Sequence, residues 1–192
     1  MAAETLHPTP PRYFVPAPCS EIKFGKMRFL ITDRPNDMSL DNFVKELEKH
    51  NTKAVVRVCE PTYESNLLKE HGIDLKDWQF DDGAPPPREL IEKWIRLVKE
   101  CFKNAKTDDV VCIAVHCVAG LGRSPLLVAI ALLEAGMSCE DAVYLIRSQR
   151  RGALNERQLE FLRTYKATGQ LRKLRNFSYE DSDKQRKSCN IM

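Results

Sequence analysis

The most constraining feature is a junction of three segments. An apolar run at residues 110–115 meets His116-Cys117-Val118-Ala119-Gly120-Leu121-Gly122-Arg123-Ser124, and Pro125 then opens a second apolar stretch. A continuous apolar run bounded by turn signals predicts a central strand buried on both faces. Proline belongs to the first turn of a helix, so the spacing predicts a helix over about 125–135. Between them a loop with two glycines must wrap around from strand end to helix start. Such a loop points successive backbone N–H groups inward as an anion-sized nest. The helix dipole favours an anion at the same point.

The side chains suit that geometry. Arg123 offers a bidentate fork to two phosphate oxygens. The positive surroundings are expected to keep Cys117 as a thiolate at neutral pH, hence a nucleophile. Cysteine six residues before arginine proves little alone, but His116, Gly120 and Ser124 in register raise the signal well above coincidence. A thiolate attacking phosphate needs an acid for the departing oxygen. Asp82 is the favoured residue and Asp81 its rival, both in a loop over 79–87 where three consecutive prolines exclude regular structure. A rhodanese-like sulfur transferase also pairs a cysteine loop with arginine, but it needs no general acid.

The rest of the pattern alternates. Strands are expected at 27–31, 54–59 and 73–78, and helices at 39–50, 64–71, 88–103, 138–150 and 156–166. This predicts an α/β fold with a central, mostly parallel sheet flanked by helices. With 192 residues there is room for one well-cored domain. Its expected bounds are 22–168, after a proline-rich arm at 1–21 and before a basic tail at 169–192. From Leu171 onward six basic residues face three acidic ones, so the tail carries the whole net charge of +3. A neutral body argues against nucleic acid as a partner. Seven cysteines at irregular spacings, with no secretory leader pattern, predict a reducing compartment. No C-x-x-C pair occurs and only four histidines exist, so neither a metal site nor a cofactor is expected. Cys189-Asn-Ile-Met192 reads as a prenylation box, and Lys184, Arg186 and Lys187 supply the basic partner that one lipid chain requires.

From about Phe24 onward the chain resembles the phosphatases of regenerating liver, the type IVA protein tyrosine phosphatases. The motifs are Met27-Arg-Phe-Leu-Ile-Thr32, Val56-Arg-Val-Cys-Glu60, Phe80-Asp-Asp-Gly-Ala-Pro-Pro86, the Cys117 loop, Arg150-Arg-Gly-Ala153 and the terminal box at Cys189. The resemblance implies a dual-specificity-phosphatase-like fold, with Cys117 as nucleophile, Asp82 as acid, and phosphotyrosine proteins or phosphoinositides as substrates. It implies a reversible disulfide between Cys59 and Cys117; from the residues alone, a buried apolar cysteine is the commoner fate of such a residue. It also implies a prenyltransferase, the cytoplasmic face of plasma membrane and endosomes, and a cytosolic or nuclear pool of unprenylated chain. A second reading is a low-turnover binding module for cyclin M magnesium transport mediators, with Arg151 at the contact; self-association into a homo-oligomer stays open. Three departures stand out: Ser124 where the family usually has alanine, Gln79 where proline is frequent, and a longer stretch at 103–109.

Overall fold

The computed structural model describes residues 19–103 and 111–175. The first eighteen residues of the arm, residues 104–110, the Lys184–Lys187 cluster and the box at Cys189 lie outside the described residues.

A five-stranded sheet runs in the order β1-β2-β5-β3-β4. Its strands are β1 (Cys19–Phe24), β2 (Met27–Thr32), β3 (Thr52–Arg57), β4 (Asp74–Asp77) and β5 (Cys112–His116). Only β1, antiparallel to β2, departs from a parallel arrangement. Every residue of β5 is buried, as expected of a strand covered on both sides. Its side chains alternate: Ile113 and Val115 enter the larger core with Phe29, Val56 and Trp94, while Cys112 and Ala114 enter a smaller one with Val44, Leu47 and Leu68.

The smaller core lies under α1 (Leu40–Lys49) and α2 (Asn66–Glu70). The larger holds residues of α3 (Arg88–Lys103), α4 (Arg123–Glu134), α5 (Cys139–Gln149) and α6 (Glu156–Thr164). Helix α4 is buried along its whole length. Trp94 of α3 is sealed against it, donating its indole N–H to the Leu127 carbonyl at 2.7 Å. Trp78, half-buried against the same core, stands where β4 gives way to the 79–87 loop, and its N–H is held by the Arg57 carbonyl at 2.9 Å.

The domain is larger at both ends than its sequence suggests. Strand β1 begins at Cys19, inside the range assigned to the arm, and buries Ser20 and Ile22. At the other end Leu171 and Leu174 are buried around a short 3-10 turn, Arg172–Leu174. The Leu174 carbonyl accepts from Lys26 N–H at 2.8 Å in the β1–β2 turn. Residues 169–175 therefore belong to the folded body. Helix α4 starts at Arg123, two residues ahead of expectation, so the arginine lies on its first turn.

Candidate active site

Parallel strands β2, β5 and β3 carry their C-terminal ends to one edge of the sheet. Clefts in open α/β sheets form at that edge. Here β5 ends at His116 and residues 117–122 loop over to α4.

Partners outside the loop dictate its shape. The Val118 carbonyl accepts from Arg34 N–H at 3.1 Å, and Leu121 from Leu154 N–H at 2.7 Å. Arg150 takes the two between: Nε donates to Gly120 at 2.8 Å and Nη2 to Ala119 at 3.0 Å. Carbonyl and N–H point in opposite directions across a planar trans peptide. Four consecutive carbonyls bound outside therefore turn the following amides inward. Gly120 sits at φ +65°, and a Cβ there would lie 2.5 Å from the Thr32 carbonyl, so no other residue fits.

Cys117 lies at the floor, 3% exposed. Burial works to raise its thiol pKa. The Ser124 hydroxyl, 3.4 Å from the sulfur, and the backbone N–H groups of Ser124, Gly122 and Gly120 outweigh that and bring it below the usual thiol range. Stabilised this way, the sulfur is held toward its nucleophilic form. Cys59, two residues beyond β3 and 1% exposed, has its thiol pushed up by burial, with Arg123 opposing and the Cys117 charge adding. The two sulfurs thus sit within electrostatic reach, and both are free thiols.

A cleft of about 320 Å³ opens above the sulfur, lined by Asp82, Val118, Arg123, Gly152, Asn155 and Gln158 among others. Arg123 is anchored through Nη1 to the carbonyls of Phe80 at 3.1 Å and Val58 at 3.3 Å. Its Nε lies 3.4 Å from Asp82 Oδ1, an ion pair by distance that lacks hydrogen-bond geometry. Asp82 is exposed and lines the cleft; Asp81 does not, and its carbonyl closes the turn with Ala84 N–H. The structure thus brings Asp82, Cys117, Arg123 and Ser124 together, with Cys59 behind. Exposed Arg151 follows directly on Arg150 and precedes Gly152 at the cleft wall.

Sequence reasoning missed two residues of this site. Arg150 was visible only as part of a motif. Gln158, 1% exposed, accepts from Asn155 N–H through Oε1, while its Nε2 lacks a hydrogen-bond partner among the described residues beside the cleft. Its sequence signal, glutamine three residues after a capping asparagine, announces only the capping box that α6 contains.

Comparison with known proteins agrees with this geometry. The model of the dual specificity phosphatase catalytic domain matches residues 38–168. Protein tyrosine phosphatase type IVA 3 of Mus musculus is 46% identical over 177 residues, 92% of this chain and 96% of that protein. The chain belongs to the type IVA protein tyrosine phosphatases. Type IVA 2 of Mus musculus is 48% identical, covering 82% of this chain and 92% of its own. Among solved structures, a protein tyrosine phosphatase from Leishmania major is 41% identical with a TM-score of 0.70 over 77% of this chain and 98% of that one. The type IVA chain is accordingly a cysteine-based protein tyrosine phosphatase with a dual-specificity-like fold.

Proposed function

We propose that this phosphatase works through a phosphocysteine intermediate, with Cys117 as nucleophile and Asp82 as general acid. The observation that carries the reading is the Cys117 sulfur itself, sunk beneath the cleft and bonded by Ser124 and inward-facing amides. The thiolate attacks phosphorus, the ester P–O bond breaks, and Asp82 in its protonated form gives its proton to the departing oxygen. Arg123 and the loop amides hold the three equatorial oxygens as charge builds. Incoming phosphate competes with Asp82 for Arg123, which frees the carboxyl to face the leaving group. Water then attacks the phosphocysteine, Asp82 accepts its proton, and the S–P bond breaks. The substrate class is phosphotyrosine protein, with phosphoinositides as the membrane-borne alternative.

Pre-steady-state hydrolysis of an aryl phosphate under reductant tests the scheme. A burst equal to the enzyme concentration is expected, lost in Cys117→Ser. With Asp82→Asn the burst with a poor leaving group should slow at least tenfold, and an unchanged rate would assign the acid elsewhere.

Three regulatory features accompany this reading. Oxidation links Cys59 to Cys117 and protects the nucleophile from further oxidation; peroxide should inactivate Cys59→Ser irreversibly, and full recovery with reductant would sink the idea. Prenylation at Cys189 with the Lys184–Lys187 cluster holds the chain to cytoplasmic membrane surfaces, and Cys189→Ser should leave the membrane fraction. Val118, 43% exposed on the loop, and Arg151 beside the cleft offer a docking rim. This favours the second reading, binding to cyclin M type transport mediators. Arg151→Glu should abolish that binding with aryl phosphate turnover retained.

A further inference from the structure

A second cluster lies outside the active-site cleft, where the start of β1 meets the end of α1. Cys19 Sγ lies 3.3 Å from Glu46 Oε1, and His50 Nε2 lies 3.0 Å from the same oxygen. All three donor atoms fall within 4.8 Å of one another, and all three residues are half-buried. In a tetrahedral zinc site, with bonds of about 2.0–2.3 Å, donor atoms sit roughly 3.3–3.8 Å apart. Two edges of the triangle, 3.3 and 3.0 Å, are close to that spacing, and the third, between Cys19 Sγ and His50 Nε2, lies within 4.8 Å. Glu46 and His50, four residues apart, share one face of α1 by helical geometry, while pairing of β1 with β2 brings in Cys19 from 27 residues away.

The surroundings suit a cation. Lys49 Nζ, 3.5 Å from Glu46, belongs to a side chain 70% exposed that can swing into water. Arg150, the other cation acting on Cys19, is committed through its guanidinium to the Ala119 and Gly120 carbonyls. Cys19 and Glu46 also line a cavity of about 510 Å³ with Thr32, Asp33 and Asn42, which gives an entry path and room for a water ligand. One sulfur, one imidazole nitrogen and one carboxylate oxygen match zinc and its late first-row neighbours, whereas magnesium and calcium take oxygen sets.

We propose that Cys19, Glu46 and His50 form a zinc-class metal site, with water in the fourth position, that pins edge strand β1 to α1. Binding exchanges the Cys19 thiol proton for the metal and releases it to solvent. The sequence argued against a metal site because it holds no C-x-x-C pair and only four histidines, a pattern blind to a cysteine that strand pairing brings beside a helix.

Cobalt is the probe. Full-length protein carrying Cys117→Ser, which removes the active-site thiolate as a competing ligand, is stripped with chelator and titrated with Co²⁺ and then Zn²⁺. One equivalent should bind with thiolate-to-cobalt absorption, be displaced by zinc, and raise the melting temperature. Adding Cys19→Ser should abolish the absorption and the melting shift, and His50→Ala should weaken binding at least tenfold. Absorption that survives Cys19→Ser, an affinity unmoved by His50→Ala, or no saturable binding at micromolar metal would each overturn the site.

Discussion

The hydroxyl of Ser124 is shut off from solvent 3.4 Å from the Cys117 sulfur. A sulfur leaving phosphorus regains negative charge, and a hydrogen bond to a charged group is worth about 1.5–3 kcal/mol. Ser124→Ala should therefore keep the burst but slow steady-state turnover roughly ten- to hundredfold; unchanged turnover would show that the hydroxyl gives the departing sulfur no help. His116 sets a second residue-scale expectation. Burial depresses its imidazole to about 4, overriding the Cys117 carbonyl contact, and Tyr63 OH holds Nε2 at 2.7 Å. The unfolded chain, titrating near 6.5, binds more protons than the folded one between those values. Stability from this group is therefore full above pH 6.5 and is lost as pH falls toward 4, by about 3 kcal/mol in all. Denaturant titrations across that window should show a shallower loss in His116→Asn than in wild type.

Between elements, Arg150 is the brace on which the loop depends. It joins the end of α5 to two loop carbonyls and reaches Ser20 Oγ of β1 at 3.5 Å. Arg150→Met should cost about 2–4 kcal/mol, because buried acceptors lose their donor. It should also lower kcat/KM at least tenfold as the amides lose alignment; denaturation and steady-state kinetics read the two separately. No such role was legible in the sequence, where Arg150 is one basic residue at a helix end. The loop it holds was legible, because glycines, proline and apolar runs are local signals of backbone shape. The tract around Asp82 was legible for the same reason, its prolines forbidding a ladder. Strand β1 was not: prolines precede it, and Ile22 is its sole fully buried apolar side chain. What qualifies Cys19–Phe24 as a strand is its pairing with Met27–Thr32, a tertiary fact.

At the scale of the molecule, the last described segment is stitched to the core by one buried carboxylate. Glu134, at the end of α4, accepts from Tyr165 OH at 2.7 Å, Thr168 N–H at 3.0 Å, Thr168 Oγ1 at 2.8 Å and Gln170 N–H at 3.1 Å. Burial works to raise its pKa, but these donors prevail and hold it below the usual glutamate range. Glu134→Gln should cost about 2–4 kcal/mol by replacing a charged acceptor with an amide, and trypsin should cut faster at Lys166 and Arg172. No reading of the tail as a basic surface element anticipated this, since its buried leucines are only two among many polar residues. The two tryptophans are placed differently in the same body: Trp94 is sealed in the interior, whereas Trp78 stands half-buried at the root of the chain leading to Asp82. The molecule therefore carries its own optical gauge. In a Trp94→Phe protein all indole emission would come from the root of the loop that carries Asp82, and the arrival of an oxyanion could be followed as light, with no bond broken.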